Sequence, residues 1–330
     1  MKFLLTHRMK RGVFYSLIFA GIVLSVSGVK ILMTDDNKKN QQPGEINNQR
    51  IEPIALTSPV QPPAPIELPF GGTTVLPQYR FVALYGSPAY PKLGSLGEQG
   101  LDDTVMRARE LASQYQSYSS ETVIPTFEII ATVASADVTE NNDYSRELSL
   151  DSLRPYIDKA KDEKMYVILD LQPGRSAFFD QIKQYEELLI QPHVGIALDP
   201  EWRLRSEQDR HLKKVGSVTA GEVQHTYDWL ADLVATHKLP QKLFVVHQFK
   251  PSMIEGRETL HIERTELAFL LHMDGYGTLG QKINTWNTVQ QNLPANAHLA
   301  WKNFFDEDKP TPTPEQTMQQ TPKPWLITYQ

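Results

Sequence analysis

The chain has 330 residues, of which 40% are hydrophobic and 22% are charged, so it can bury a sizeable core in one large domain or two small ones. The net charge is −6, and no long basic run follows the first segment. Nucleic acid is therefore not expected as the main partner, because phosphate binding needs clustered lysine and arginine. The chain contains no cysteine. This excludes disulfides, zinc–thiolate sites, a thiol nucleophile and a lipid-modified cysteine.

The first 33 residues have the pattern of a membrane anchor. Residues 1–11 carry four basic and no acidic side chains, and the 18 residues 12–29 carry no charge. Such a stretch is about long enough to cross a bilayer, with its positive flank in the cytoplasm. We predict a single-pass protein of the cell membrane, with a cytoplasmic stub and transmembrane segment in residues 1–33 and the remainder outside. A cleaved signal peptide, which would give a secreted protein, stays open because Ser25 and Ser27 could form a cleavage site.

Residues 34–79 have the composition of a linker. The first part is rich in Asp, Asn, Lys and Gln, and the second part is rich in proline. Because few of these residues could build a core, we expect a flexible and then semi-extended tether that holds the next domain off the membrane.

From residue 80 onward, short apolar runs alternate with helical patterns. Both faces of the runs are hydrophobic, which is typical of buried parallel strands. The runs are 81–85, 127–133, 165–171, 194–198, 243–247, 267–273, 299–305 and 325–329. Helices are predicted over 102–116, 151–162, 178–190 and 278–292, and a capping box from Thr219 to Glu222 begins another. The connection 306–322 is expected to be mostly irregular.

Eight strand-plus-connection units thus fill residues 80–330. A closed (β/α)₈ TIM-like barrel has about this size, so we predict an α/β domain of that class. The alternative is a doubly wound open sheet. Such a sheet rarely needs eight strands, and no Gly-x-Gly-x-x-Gly turn follows the first run.

The strongest candidate site surrounds Asp199 and Glu201. These two carboxylates, separated by Pro200, close the fourth apolar run. On an extended strand they would share one face, about 6.6 Å apart along the backbone. Paired carboxylates at the carboxyl end of a barrel strand suit an enzyme that acts on sugars.

Two further expectations concern the neighbours of these acids. The small residues Gly195 and Ala197 below Asp199 predict free space inside the barrel. In the alternative reading, the two acids cap the next helix or pair with Arg203 and Arg205, and then have a structural role only.

Polar residues close nearly every apolar run, and in a barrel these ends converge on one mouth. We predict four catalytic carboxylates there, with Glu201 as the acid. The four are Glu201, Asp199, Asp170 and Asp274. Ten further residues are predicted to bind substrate, and the aromatic ones could stack on sugar rings. These ten are Tyr85, Gln172, Trp202, His247, Gln248, His272, Trp301, Lys302, Asn303 and Tyr329.

Other polar residues are expected to be structural. Glu128 would lie at the wrong end of its strand if the run begins at residue 127, so a structural salt bridge is predicted for it. His193, His225 and His298 lie in or beside connections and are predicted to be surface or packing residues.

The stretch from Asp199 to Trp202 resembles the Asp-x-Glu ending of the chitinase-like glycosidase motif, which also closes the fourth strand of a (β/α)₈ barrel. This resemblance implies that Glu201 protonates the leaving oxygen and that Asp199 positions an acetamido group of the substrate. Residues 80–330 also resemble an uncharacterised family of exported bacterial barrels, which implies a fold and a location more than a reaction. The stretches that carry this resemblance are Tyr85-Gly-Ser-Pro88, Leu93-Gly-Ser-Leu-Gly-Glu98, Asp170-Leu-Gln-Pro-Gly-Arg175, Asp199-Pro-Glu-Trp-Arg203 and Trp301-Lys-Asn-Phe-Phe-Asp-Glu-Asp308.

Three classes of function fit these residues. A glycoside hydrolase that acts on a cell-envelope or extracellular glycan leads, because Glu201 beside Trp202 and a second carboxylate has the means to stay protonated. A metal-dependent hydrolase would use the same acids and histidines, but no His-x-His or His-Glu-x-x-His spacing occurs, and no metal or cofactor is predicted. A non-catalytic barrel that binds cell-wall polysaccharide would use similar contacts. We expect a monomer whose partners are a glycan or cell-wall polymer and the membrane.

Overall fold

The domain is a barrel closed by parallel strands. The computed structural model describes residues 64–330 apart from Gln208 and Leu212. In this part of the chain the barrel strands are β1 (Tyr79–Gly86), β2 (Thr122–Ala134), β3 (Tyr166–Leu171), β4 (Val194–Leu198), β5 (Lys242–Gln248), β6 (Leu267–Met273), β7 (His298–Asn303) and β8 (Leu326–Tyr329). Neighbouring strands pair in chain order, and β1 pairs with both β2 and β8. The predicted (β/α)₈ barrel is therefore confirmed, and an open doubly wound sheet is excluded.

Helices connect the strands and pack around them. They are α1 (Leu101–Gln116), α2 (Leu150–Asp162), α3 (Phe178–Ile182), α4 (Glu186–Leu189), α5 (Ala220–His237), α6 (Leu279–Val289) and α7 (Pro314–Met318). The helix predicted over 178–190 is interrupted by a 3₁₀ turn at Lys183–Tyr185. The connection 306–322 contains α7, because Thr313 and Gln316 form a capping box there.

Three short strands lie outside the barrel ring. Ser145–Glu147 pairs antiparallel with the end of β2, and Val218–Thr219 pairs in parallel with Ile254–Glu255. Both pairings lie in connections that leave the carboxyl ends of barrel strands, so they add structure at the mouth of the barrel.

Strand residues alternate between two separate cores. The outer core packs the barrel against its helices and includes Leu169 and Ile196. The inner core fills the lower barrel and includes Ile168, Leu243 and Leu270. Because both faces of each strand are buried, the strands have the unbroken apolar runs that made them recognisable in the sequence.

Tyr166 fills the space beside Gly195. A Cβ atom at Gly195 would lie 2.8 Å from the Tyr166 hydroxyl and 2.6 Å from the Leu243 carbonyl oxygen. The same hydroxyl accepts a hydrogen bond of 3.0 Å from the Leu243 backbone N–H. The free space predicted below Asp199 is therefore absent at Gly195, because the glycine admits a neighbouring ring.

Residues 64–78 close the lower end of the barrel. Leu68 and Val75 are buried in the inner core, and the ring of Phe70 lies 6.4 Å from that of Tyr166. The Gln241 side-chain oxygen accepts a hydrogen bond of 3.1 Å from the Val75 backbone N–H. This segment falls within the predicted linker, so the packed domain extends to the N-terminal side of residue 80.

The predicted membrane anchor and most of the predicted linker, residues 1–63, lie outside the described residues. Among the helices that are described, none combines the length and the apolar character needed to cross a bilayer. The single-pass anchor and its alternative, a cleaved signal peptide, therefore stay predictions.

Candidate active site

A layer of polar side chains lies directly above the inner core, and every barrel strand contributes to it. On β5, for example, Val245 belongs to the inner core, and His247 follows two positions later on the same face. The layer contains Tyr85, Glu128, Asp170, Asp199, His247, His272, Lys302 and Thr328, each no more than 2% exposed. Closure of the barrel brings these residues together, although they come from stretches far apart in the sequence.

The chain leaves the sheet directly after β4. Pro200 cannot donate a ladder hydrogen bond, and it begins a single 3₁₀ turn, Pro200–Trp202. The strand alternation expected for Asp199 and Glu201 therefore ends at Asp199. Both side chains nevertheless line the same pocket, with Asp199 buried and Glu201 partly exposed.

The turn that carries Glu201 is fixed by the loop that follows it. The Gly216 backbone N–H donates a hydrogen bond of 2.6 Å to the Glu201 carbonyl oxygen. A Cβ atom at Gly216 would lie 2.6 Å from that oxygen, so only glycine allows this close approach. Arg203 adds a second constraint, because its Nη1 donates to the Arg175 carbonyl oxygen at 3.0 Å.

The nearby arginines pair with other acids. Arg203 Nε lies 2.9 Å from Glu222 Oε1, and Arg205 Nη1 lies 2.7 Å from Glu255 Oε1. Glu222 therefore does not complete the capping box at the start of α5, although its backbone N–H does donate a hydrogen bond to the hydroxyl oxygen of Thr219, the predicted cap. The alternative in which these two arginines neutralise Asp199 and Glu201 is excluded.

A pocket of about 640 Å³ opens at the carboxyl ends of the strands. Seven of the predicted site residues line it, namely Tyr85, Gln172, Asp199, Glu201, Trp202, Asp274 and Lys302. Further aromatic rings from Phe249, Tyr276 and Phe304 join Trp202 in its walls. Apolar walls around a few convergent polar groups are typical of a small-molecule or sugar site.

Beneath the pocket, His247 links two carboxylates. Its Nε2 lies 2.9 Å from Glu128 Oε1, and its Nδ1 lies 3.0 Å from Asp274 Oδ2. Burial alone would lower the pKa of His247, but its hydrogen bonds to Asp274 and Glu128 outweigh burial and raise the pKa well above the ordinary value. This shift favours the imidazolium form of His247, in which both ring nitrogens donate to the carboxylates.

His272 is the neutral partner of His247. The two Nδ1 atoms are 3.0 Å apart, and His272 Nε2 lies 3.1 Å from Thr328 Oγ1. Burial and the charge of His247 lower the pKa of His272 well below its ordinary value. We therefore assign the proton of His272 to Nε2, which donates to Thr328, and leave its Nδ1 unprotonated beside the N–H that His247 directs at Asp274.

Asp274 stays ionised because two cations contact it. Besides its hydrogen bond with His247, it pairs with Lys302, whose Nζ lies 3.2 Å from Asp274 Oδ2. Burial would raise the pKa of Asp274, but Lys302 and His247 outweigh burial and hold the pKa well below the ordinary value. Lys302 Nζ also lies 3.7 Å from the centroid of the Tyr85 ring, and this cation–π contact stabilises the charge of the lysine.

The other carboxyl groups have raised pKa values. Burial, assisted by the charge of Asp274, raises the pKa of Glu201 to about 7. Burial raises the pKa of Asp170 to about 6, although Tyr85 donates a hydrogen bond of 2.7 Å to its Oδ2. Burial and the charge of Glu201 raise the pKa of Asp199 well above its ordinary value. The site therefore holds one carboxylate with a lowered pKa beside carboxyls with raised pKa values, the separation that acid–base chemistry requires.

Trp301 and Asn303 lie on the outer side of β7. Trp301 packs against Trp286 of α6, and its Nε1 donates a hydrogen bond of 2.7 Å to Asn303 Oδ1. Between them, Lys302 points into the barrel. The side chains of Trp301 and Asn303, which were predicted to contact substrate, therefore do not reach the pocket.

Gln248 and Tyr329 also point outward. Gln248 bonds to Arg257, and the Tyr329 hydroxyl contacts that of Tyr115 on α1. Of the fourteen predicted site residues, four therefore lie on the outer side of the barrel strands, namely Gln248, Tyr329, Trp301 and Asn303. Asp170, His247 and His272 lie just below the pocket.

Glu128 is a member of the polar layer that the sequence interpretation missed. Its strand begins at Thr122, five residues before the predicted start, and includes Pro125, a residue that is unusual inside a strand. Glu128 therefore lies in the middle of its strand rather than at its wrong end. It does form an ion pair, as predicted, but with His247 in the barrel interior.

The three histidines that were predicted to be structural lie away from the pocket. His193 Nε2 bonds to the Ile157 carbonyl oxygen at 3.0 Å, and the His225 ring stacks on Phe179 with 4.0 Å between centroids. His298 lies at the start of β7, at the opposite end of the barrel from the pocket.

No protein-family model matches this chain, and a comparison with curated proteins found no match. Among solved structures, it is similar to dihydropteroate synthase from Xanthomonas albilineans with 4-aminobenzoic acid, at 10% identity and a TM-score of 0.37 over 77% of this chain and 88% of that one. It is also similar to an endo-β-N-acetylglucosaminidase from Cordyceps militaris in complex with fucosyl-N-acetylglucosamine-Asn, at 8% identity and a TM-score of 0.32 over 76% and 80%. Likeness at this level assigns no function to this chain. Membership of an exported bacterial family stays a prediction.

Proposed function

We propose that the chain is a membrane-tethered, extracytoplasmic glycoside hydrolase that acts on a cell-envelope or extracellular glycan. Glu201 is its general acid, and Asp199 assists. One observation carries the proposal: a carboxyl with a pKa of about 7, that of Glu201, lines the same pocket as the ionised Asp274. Glycosidic cleavage needs a carboxylic acid that stays protonated near neutral pH.

In this mechanism Glu201 donates its proton to the glycosidic oxygen as the bond breaks. The sugar ring then develops positive charge, which the carboxylate of Asp274 stabilises from within the same pocket. Attack of a water molecule at the anomeric carbon forms the new C–O bond, and the proton that the water loses replaces the one that Glu201 donated. The raised pKa of Asp199 favours its protonated form, and in that form it donates a hydrogen bond to the substrate, which agrees with the helper role that the chitinase-like resemblance implies.

The pocket walls supply the contacts that a sugar needs. Trp202, Phe249 and Phe304 offer ring faces, and Tyr276 adds an exposed aromatic edge at the rim. Sugar rings stack on aromatic faces through their apolar C–H surfaces, while Gln172 and Lys302 provide hydrogen-bond donors. The extracytoplasmic location rests on the charge pattern of residues 1–33.

The test compares the purified full-length protein with the variant Glu201→Gln on peptidoglycan sacculi and soluble chitin oligosaccharides, with release of reducing ends as the readout. We expect turnover to fall by roughly 10²- to 10⁴-fold, because glutamine keeps the shape of glutamate but cannot donate an acidic proton. Calorimetric binding of the oligosaccharide is expected to persist.

The matched control is Glu307→Gln, which removes a carboxylate from the exposed rim of the same pocket. Its turnover is expected to stay near that of the unmodified protein. Binding without any release of reducing ends would favour the non-catalytic polysaccharide-binding barrel instead. Undiminished turnover in Glu201→Gln would remove Glu201 from the role of acid.

A further inference from the structure

A second buried ion pair lies between α6 and the carboxyl ends of β6 and β7. Lys282 Nζ lies 3.0 Å from Asp308 Oδ2, and both side chains are fully buried. Neither residue lines the pocket, and the proposed hydrolysis uses neither. Removing two charges from water is costly unless their polar atoms find partners, so the contacts of this pair show what it holds in place.

Lys282 also contacts the ends of both strands. Besides pairing with Asp308, its Nζ donates to the Gly275 carbonyl oxygen at 2.8 Å and to the Lys302 carbonyl oxygen at 2.7 Å. Gly275 lies in the loop that follows β6, and Lys302 lies near the end of β7. An ammonium group has three N–H donors, so these three acceptors match its full capacity.

Asp308 joins the same two regions through its own oxygens. Oδ1 accepts a hydrogen bond of 3.0 Å from the Gly277 backbone N–H, in the loop after β6. Oδ2 accepts one of 2.8 Å from the Phe304 backbone N–H, directly after β7. The ion pair therefore links the loop after β6, residues 274–277, to the loop after β7, residues 304–308.

Each of the two linked loops carries an aromatic ring of the pocket wall. Tyr276 comes from the first loop and Phe304 from the second, and their rings meet edge to face with 6.0 Å between centroids. A corner of this kind offers a sugar one ring face to stack on and one ring edge beside it. Tyr276 is 67% exposed, so its position depends on Phe304 and on its loop rather than on a surrounding core. Lys282 Nζ lies 5.3 Å from the centroid of the Phe304 ring, so the lysine restrains that ring as well as the backbone that carries it.

We propose that Lys282 and Asp308 are positioning residues for a sugar-binding platform. The platform consists of Tyr276 and Phe304, and the ion pair holds their rings in the edge-to-face arrangement that sets the affinity for the glycan. This inference rests on the proposed action on glycans, but it concerns the strength of binding and not the proton that Glu201 donates. Loss of the pair is therefore expected to raise KM and to leave kcat within about twofold, because only uniform binding is removed.

The experiment measures binding of chitin and peptidoglycan oligosaccharides by calorimetry to the full-length protein in detergent, in the Glu201→Gln background so that the sugars are not consumed. Lys282→Met keeps an unbranched apolar side chain but removes the charge and its donors, and it is expected to weaken binding by about tenfold. Tyr276→Ala is expected to weaken it by a similar factor. When the two are combined, the losses are not expected to multiply, because a displaced platform leaves Tyr276→Ala nothing further to remove.

The matched control is Lys242→Met, which changes another fully buried lysine, at the start of β5 and away from the pocket. Its Nζ donates to the carbonyl oxygens of Gln191 and Val194, at 2.6 and 2.8 Å. Binding is expected to stay unchanged in this variant, and Tyr276→Ala is expected to keep its full effect when added to it. A lysine that only stabilises the fold behaves in this way, so the control separates positioning from stability.

Lys282→Met leaves Asp308 buried without its cation, so the double variant Lys282→Met/Asp308→Asn provides a second measurement. It removes both charges, which is often neutral for stability, and the same loss of binding is expected. The proposal is overturned if a folded variant, checked by circular dichroism, binds as tightly as its background, or if the losses from Lys282→Met and Tyr276→Ala multiply. Absence of binding by both oligosaccharides would also overturn it.

Failure of this proposal and failure of the proposed hydrolysis give different results. Losses that multiply, in a protein that releases reducing ends when Glu201 is intact, would refute the platform alone. Losses that do not multiply, in a protein that releases none, would refute hydrolysis and support the platform.

Discussion

The lower and upper halves of the barrel interior are built on the same eight strands from different chemistry. In the lower half, inward residues such as Ile168, Val245 and Leu270 form an apolar core. Two residues further along, the inward positions are polar and include acids, imidazoles and a lysine, such as His272 two positions after Leu270. The inward-facing side chains therefore change from apolar to polar within two positions of a strand.

This difference separates the tasks of the two halves. Burying the apolar layer stabilises the fold by removing hydrocarbon from water. Burying the polar layer costs free energy unless each charge is paired, and the raised pKa values of Asp170 and Glu201 record that cost. A protein that needed only stability would continue the apolar layer, so the polar half indicates a site selected for chemistry or binding.

The largest effects are expected from two side-chain truncations at or next to β6. Asp274→Ala changes the polar upper half of the barrel interior, and Leu270→Ala changes the apolar lower half. Asp274→Ala leaves His247 and Lys302 without their shared carboxylate and is expected to cost about 3–5 kcal/mol of unfolding free energy. Leu270→Ala leaves a cavity and is expected to cost a similar 2–5 kcal/mol. Urea unfolding at several pH values measures both.

Their pH dependence separates the two halves. The pKa of Asp274 is lowered on folding from its ordinary 3.8, so its contribution is present above about pH 4 and is lost as the pH falls further. The cost of Asp274→Ala is therefore expected to shrink at acid pH, while that of Leu270→Ala stays constant. If the two variants showed the same pH dependence, the division of the barrel interior into a polar upper half and an apolar lower half would be refuted.

A smaller effect with the opposite sign is expected for Asp170→Asn. The pKa of Asp170 is raised from 3.8 to about 6 on folding, so its stabilising protonation is complete below about pH 4 and is lost as the pH rises through 6. Asparagine still accepts the Tyr85 hydrogen bond without the buried charge. Above pH 6 the variant is expected to be more stable by up to about 3 kcal/mol, with no gain at acid pH. A loss of stability at neutral pH would contradict this.

The pH profile of the proposed hydrolysis tests the upper half alone. The pKa of Glu201 is raised to about 7, so its proton is present below that pH and is lost above it. Turnover is expected to fall about tenfold per pH unit above 7 and to show no loss from Asp274 near pH 5, since that group stays ionised. A rate that keeps rising toward pH 9 would argue against Glu201 as the acid.

The smallest effect compares two tyrosines that each lose one hydroxyl. Tyr166→Phe below removes the acceptor of the Leu243 N–H, and Tyr85→Phe above removes the donor to Asp170. Each is expected to cost about 1–3 kcal/mol, because each leaves a buried polar group without its partner. Only Tyr85→Phe is expected to change the rate of hydrolysis, since only Tyr85 lines the pocket.

The sequence was sufficient to predict the barrel, because strands buried on both faces leave apolar runs that can be counted. It also identified the turn at Asp199 and Glu201, because acids that close an apolar run stand out. It could not fix which face of a strand points inward. Alternation requires that only one of Lys302 and Asn303 enters the barrel, and the choice depends on register against neighbouring strands.

Glu128 shows a second limit. Its partner His247 lies 119 residues away, and nothing near Glu128 in the sequence indicates that contact. The early start of β2 could be recognised only from its pairing with β1, since proline at position 125 is unusual inside a strand. Burial of a charged residue in the middle of an apolar run was the one available signal, because such residues are seldom buried without a functional or structural partner.

The closing contact between β8 and β1 has a consequence for biosynthesis. The four residues of β8 supply the last strand, and they pair with β1, whose residues are made about 240 positions earlier. Until the ribosome has released residues 326–329, β1 has a bare edge, and Thr328 is missing from beside His272. A partly synthesised chain therefore has neither a sealed barrel nor a complete set of polar groups, so any activity is delayed until synthesis of the domain is finished.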